Sequence, residues 1–177
     1  MRNNNGFTLI ELVIVIIVLG VLAATAIPKF INLQHDASRA VVQSISGTLK
    51  TAMDFVNARK EIDNADLKVD YNGNTITLEN GYPTPDATQM RYLLDMDLPT
   101  SNAWTFNWLT VPCDDSEFCI VGNRGVGDQV PDAPGFDSGS AVFFWPNGYV
   151  LDSCFAYYAN LEIDGTAPII GFVDTGC

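Results

Sequence analysis

Residues 7–27, FTLIELVIVIIVLGVLAATAI, restrict what this chain can fold into more than any other stretch. Seventeen of these 21 residues are apolar, and the only charge among them is Glu11. As a helix the run measures about 30 Å, at ~1.5 Å per residue, enough to cross the hydrocarbon core of a bilayer. Its Ile and Val content would favour a strand in water. In lipid an isolated strand leaves its amides unpaired, so a helix is expected. A carboxylate inside such a helix costs about 2–3 kcal/mol on insertion scales. Glu11 therefore needs a compensating partner.

Before the run stands a short leader, Met1-Arg2-Asn3-Asn4-Asn5-Gly6. A secretory signal peptide would have a shorter apolar core and then an A-x-A-like cleavage site with a polar sequel, and that combination is not found here. A cut between Gly6 and Phe7 would instead create an α-amino group four residues from Glu11. That amine is largely protonated near neutral pH and suits a carboxylate held out of water. The stretch Gly6-Phe7-Thr8-Leu9-Ile10-Glu11, with the apolar run and Pro28 behind it, resembles the start of type IV pilins and the related pseudopilins. The resemblance implies that a prepilin peptidase removes residues 1–6 and that Phe7 is N-methylated. It also implies that Glu11 meets the Phe7 amine of a neighbouring subunit during filament assembly.

A helical period appears beyond the run. Pro28 cannot extend the helical hydrogen-bond ladder and is expected to kink the helix, with Gly20 a second weak point. Phe30, Leu33, Ala37, Val41, Ile45, Leu49, Ala52 and Val56 then recur every three or four residues, marking one face of an amphipathic helix. One helix is expected from about residue 8 to about residue 60, apolar all round at first and then with one stripe to bury. His35, Asp36 and Arg39 belong to its solvated or subunit-facing side and form no catalytic cluster.

Short strands and turns follow. Residues 68–71 and 74–79 flank Asn72-Gly73, a type I′ hairpin signal. Residues 85–96 read as a short helix with Leu93 and Leu94 toward the core. Strands are expected at 104–111, 118–122, 141–145, 149–158 and 169–173, with a hairpin turn at Pro146-Asn147-Gly148. Trp104, Phe106, Trp108, Phe143, Phe144, Trp145, Phe155, Tyr157 and Tyr158 fit the two faces of a sheet better than a ligand box. The expected fold is α+β: a long N-terminal helix against an antiparallel sheet of four to six strands. This matches the head that the resemblance implies. The domain reading is a leader at 1–6, an assembly and membrane helix at 7–27, and a globular head at 28–177 that includes the amphipathic half of the helix.

Charge is uneven. Residues 28–60 carry five basic and two acidic side chains, whereas residues 61–177 carry three basic and eighteen acidic, a net charge near −15. Such a surface repels nucleic acid. The glycine-rich stretch from Gly122 to Asp128 lacks the Lys-Ser/Thr of a phosphate-binding loop and reads as a plain loop. Asp128, Asp132 and Asp137 nearby are calcium candidates by analogy with some pseudopilins, but their spacing fits no EF-hand. A solvated acidic loop is the simpler reading, and no metal or cofactor is expected.

All four cysteines, Cys113, Cys119, Cys154 and Cys177, lie in the second half. An even count in a chain that enters a membrane points to disulfides. Zinc is disfavoured because there is no C-x-x-C pair and the only histidine is His35. Three pairings are open. Cys113 and Cys119 enclose five residues between two strand candidates, so a small bridge is feasible there. The resemblance implies a C-terminal loop closed by a disulfide, which favours Cys154 with Cys177. The Cys113–Cys119 bridge then departs from the simplest family members.

The functional expectation is structural: a major type IV pilus subunit, its head length and cysteines resembling pilins of the mannose-sensitive haemagglutinin type. The implied partners are copies of itself, the prepilin peptidase, the assembly machinery and the inner membrane. The implied destination is an adhesive extracellular fibre. A type II secretion pseudopilin is the alternative. An enzyme is disfavoured, because a hydrolase triad would have to recruit His35 from the stalk.

Overall fold

In the computed structural model of the chain, residues 8–96, 108–114, 117–125, 134, 138–161, 163 and 166–177 are described. The chain divides into two units, residues 1–37 and 38–177. A single helix, α1 (Leu9–Asp63), begins in the first unit and ends in the second. Its helical backbone continues through Gly20 and Pro28. Within it, Leu9–Ile27 is long and apolar enough to cross a membrane. The large side chains of that stretch are uncovered, with Leu9 80% and Ile17 59% exposed. Thr25, one of its few polar groups, is satisfied locally by donating to the Leu22 carbonyl at 2.9 Å.

In the second unit α1 turns one face inward through Val42, Ile45, Leu49, Ala52, Met53 and Val56. The expected stripe needs correction at its start. Leu33, Ala37 and Val41 are exposed, and burial begins at Val42. Adjacent valines lie about 100° apart around a helix, and a three-to-four period accommodates either one. Phe30 lies outside the described side chains. The helix closes with Asn64 in the left-handed region (φ 48°). The Ala65 N–H donates to the Lys60 carbonyl at 3.0 Å, which satisfies one of the otherwise orphaned last carbonyls.

A small antiparallel sheet follows: β1 (Lys68–Tyr71), β2 (Asn74–Glu79) and β3 (Tyr82–Pro83), in that order. Asn72-Gly73 and Asn80-Gly81 make its two tight turns, all four residues having positive φ. Two-residue turns with positive φ at both positions match the twist of the strands they join, and Asn-Gly is a favoured sequence for them. The Asn80-Gly81 turn carries the same signal as Asn72-Gly73. Helix α2 (Ala87–Leu94) is shorter than expected. Asp86 caps its start by accepting from the Thr88 and Gln89 N–H groups, and left-handed Asp95 ends it.

The larger sheet is an antiparallel meander ordered β4-β5-β6-β7. Its strands are β4 (Phe118–Gly125), β5 (Ser140–Pro146), β6 (Phe155–Asn160) and β7 (Ile169–Val173). The protein is thus α+β, with a long apolar helix followed by antiparallel sheets, but among the described residues its strands form two sheets and not one. Three local expectations change. Residues 108–111 are turn, not strand, and 104–107 lie outside the described residues. The strand expected over 149–158 starts only at Phe155. Residues 149–153 instead exchange backbone bonds with the 108–113 segment: Leu151 N–H to the Trp108 carbonyl and Cys113 N–H to the Tyr149 carbonyl, both 2.8 Å. Finally, Gly122 to Gly125 continue β4 across a bulge between Val121 and Arg124. There the Asn123 N–H donates to the Pro85 carbonyl at 2.6 Å. Gly122 is obligatory because a Cβ would collide with the backbone nitrogen of Ala87.

Both faces of this sheet are covered. One face, with Ile120, Val142, Phe144, Ala156 and Tyr158, joins the buried stripe of α1 and residues of β1, β2 and α2 in a single core. The other face, with Val121, Phe143, Trp145, Phe155 and Tyr157, packs with Cys113, Leu151 and Trp108. Phe143 meets Phe155 edge-on at 5.5 Å. Of the aromatics singled out from the sequence, the described ones pack in these two cores. Two buried polar groups tie the sheets together. The Tyr158 hydroxyl donates to the Pro83 carbonyl at 2.7 Å, and Asn160 Nδ2 donates to the Glu79 carbonyl at 3.1 Å.

Candidate functional site at the start of the long helix

The one carboxylate of the apolar stretch lies in the first turn of α1 and is engaged there. Thr8 is the N-cap, and Glu11 stands three residues on. The Thr8 N–H donates to Glu11 Oε2 at 2.9 Å, and the Thr8 hydroxyl donates to the same oxygen at 2.7 Å. In return the Glu11 N–H approaches Thr8 Oγ1 at 3.4 Å. This reciprocal arrangement is a capping box, which satisfies helix-start donors that nothing else in the turn can reach. In lipid those donors would have no water to turn to, and the box would offset part of the cost of placing a carboxylate there. Glu11 Oε1 receives no hydrogen bond among the described residues.

Thr8 is the site residue not singled out from the sequence. Its signal is present: Thr-x-x-Glu immediately before an apolar run is the capping-box pattern. It is easily overshadowed by the charge of Glu11. Gly6 and Phe7, expected at the cleavage and methylation point, lie outside the described residues. So do Asp128, Asp132 and Asp137. Among the described residues, no group of three His, Cys, Asp or Glu side chains is placed to hold a metal.

The cysteines form Cys113–Cys119 and Cys154–Cys177, with Cα–Cα separations of 5.8 and 4.9 Å. The second bridge fixes the end of the chain to the first residue before β6. Around it, Gly176 N–H donates to the Ser153 carbonyl at 2.9 Å, and the Tyr149 hydroxyl donates to the Cys177 carbonyl at 3.1 Å. Asp174 reaches α1, accepting from Gln43 Nε2 at 3.1 Å and pairing with Arg39 at 3.3 Å. Of the three polar residues expected on the outer side of the helix, His35 and Asp36 are exposed, and Arg39 binds the C-terminal segment through Asp174.

Comparison with known proteins bears on this helix start. Residues 1–27 match the model of the prokaryotic N-terminal methylation motif. The type IV narrow pilus major component PilA5 of Thermus thermophilus is 45% identical over 47 residues, covering 27% of this chain and 40% of that protein. The type IV major pilin protein PilA of Myxococcus xanthus is 41% identical over 58 residues, covering 33% of this chain and 26% of its own. The type IV major fimbrial protein FimA of Dichelobacter nodosus is 45% identical over 51 residues, covering 29% of this chain and 33% of its own. The chain therefore spans well under half the length of these curated relatives. No solved structure matches it. An uncovered apolar helix, a single carboxylate in its first turn and the matched motif converge on one conclusion: the chain carries the prokaryotic N-terminal methylation motif and is homologous, over a quarter to a third of its length, to type IV major pilins.

Proposed function

We propose that this protein is a major subunit of a type IV pilus, polymerising through α1 into an extracellular fibre that attaches cells to surfaces. The observation that carries the reading is the uncovered Leu9–Ile27 surface with one carboxylate at its start. Such a helix must be covered by lipid or by other copies of itself. The precursor waits in the inner membrane, where a prepilin peptidase cuts between Gly6 and Phe7, Phe7 is N-methylated and the assembly machinery takes over. The chain itself does structural work and no catalysis. Bends at Gly20 and Pro28 accommodate the helix in the bundle. The second disulfide and the length of the head favour a pilin of the mannose-sensitive haemagglutinin type.

In the fibre, Glu11 pairs with the Phe7 amine of an adjacent copy. A charge pair in a water-free bundle favours one axial register over slipped ones. Glu11→Val is expected to insert and be cleaved normally yet form no fibres, and Glu11→Gln is expected to be almost as damaging because it keeps shape without charge. Purely hydrophobic assembly would instead improve when the carboxylate is removed. Normal pili on Glu11→Val cells, counted by electron microscopy, would sink the proposal. Strictly periplasmic wild-type protein would point to a type II secretion pseudopilin.

A further inference from the structure

Both of Thr8's hydrogen bonds to Glu11 end on the same carboxylate oxygen, Oε2. A carboxylate offers two oxygens with about four lone-pair sites. Here one oxygen is held by its own helix, and the other receives no hydrogen bond among the described residues. Without the Thr8 hydroxyl, only the Thr8 N–H would hold the carboxylate on an uncovered helix, and forming a pair would first require ordering the more mobile side chain. With the hydroxyl in place, the side chain is already oriented and Oε1 is left for a cation.

From this geometry we infer that Thr8 is a positioning residue for assembly: its hydroxyl fixes Oε2 of Glu11 so that Oε1 faces the ammonium group of a second copy. The inference rests on the pilus reading above. Thr8 does not contact the second copy's charge; it acts through Glu11. It also removes a competing arrangement, in which a loose carboxylate folds onto the cleaved amine of its own chain. The bond from Thr8 N–H survives any side-chain change at this position, so the hydroxyl is the separable part.

The test separates orientation from simple helix capping. Glycine is nearly as good an N-cap as threonine but has no hydroxyl, whereas valine keeps the shape and loses both functions. Serine keeps both. Thr8→Ser, Thr8→Gly and Thr8→Val are expressed in full-length chain, and fibre yield is counted per cleaved membrane subunit, so that any change in cleavage is divided out. Serine is expected within about twofold of wild type, and glycine and valine about tenfold or more below it, the scale of one lost charge-assisted hydrogen bond. Glycine at wild-type yield would reduce Thr8 to a cap and overturn the inference, as would serine failing alongside valine. The carboxyl 13C resonance of labelled Glu11 in the solubilised subunit gives a readout that needs no fibre. It is expected to be shared by wild type and Thr8→Ser, and displaced in Thr8→Gly and Thr8→Val. An unchanged resonance in all four overturns the inference even if the chain proves to form no pili, an outcome that would refute the pilus reading separately.

Discussion

Replacing Tyr158 with phenylalanine removes a single oxygen from the middle of the larger core. Tyr158 is fully buried, and its hydroxyl donates at 2.7 Å to the Pro83 carbonyl, 75 residues away on the small sheet. Phenylalanine fills nearly the same volume, so no cavity term arises. What remains is a buried carbonyl without a donor, at a cost of about 1–3 kcal/mol. For a chain of this length, about 2 kcal/mol lowers Tm by roughly 4–8 °C. The pH dependence adds a second signature. Burial, helped by neighbouring Tyr82 and Glu79, pushes the Tyr158 phenol far above its ordinary value. A group whose folded pKa is raised contributes its full stability below the unfolded pKa, here about 10, and loses it as pH rises further, about 1.4 kcal/mol per unit. The phenylalanine variant has nothing to lose. Its deficit at pH 7 should therefore shrink and close by about pH 11–12. Near-UV circular dichroism of detergent-solubilised full-length protein, unfolded with both disulfides intact, reads both quantities, and exposed Tyr92→Phe serves as control. A Tm at pH 7 within about 1 °C of wild type, or a gap that stays constant with pH, would show that the bond does not hold the two sheets together.

Three further outcomes are expected. The fibre subunit should begin at Phe7 with a methylated amine, and a large residue in place of Gly6 should leave uncut precursor in the membrane; an intact mass retaining residues 1–6 in assembled fibres refutes this. Non-reducing peptide mapping should recover only Cys113–Cys119 and Cys154–Cys177, and loss of Cys154 should destabilise the head by about 3 kcal/mol in the chain-entropy account of a loop this size. Leu49→Ala, at a fully buried position on α1, should cost about 2–5 kcal/mol, measurable as a lower denaturant midpoint with unchanged slope.

What was legible in the sequence followed from strong periodicity or from a residue with one conformational use. The apolar run, the inward positions Ile45, Leu49, Ala52 and Val56, the Asn72-Gly73 turn and the strand Ile169–Val173 all have that character. The misreadings occurred where backbone pairs without a period. Residues 108–113 and 149–153 bond each other as irregular chain, and Trp108, Cys113, Tyr149 and Leu151 imitate strand positions because they too have a core to fill. The Gly122-Asn123 bulge looked like a loop because its purpose, close approach to α2, depends on an element far away in sequence. At the helix start the attention drawn by a charge in a greasy run hid the smaller partner that holds it. A capping box becomes obvious only once the helix is known to begin at Leu9.

The order β4-β5-β6-β7 also has a consequence in time. Each strand of the larger sheet pairs with the strand just before it in the chain, so the sheet can zip up as successive segments become available. Its loop-closure entropy is met in small instalments. The stripe from Val42 to Val56 has a different fate: it is made first, and its cover includes Phe144, Ala156 and Tyr158, about a hundred residues later. Until those strands arrive, a row of apolar side chains on a finished helix faces solvent or another nascent chain. The topology therefore predicts that the aggregation-prone interval of folding is the wait of α1 for β5 and β6, ending when Tyr158 and Asn160 join the small sheet to the large one.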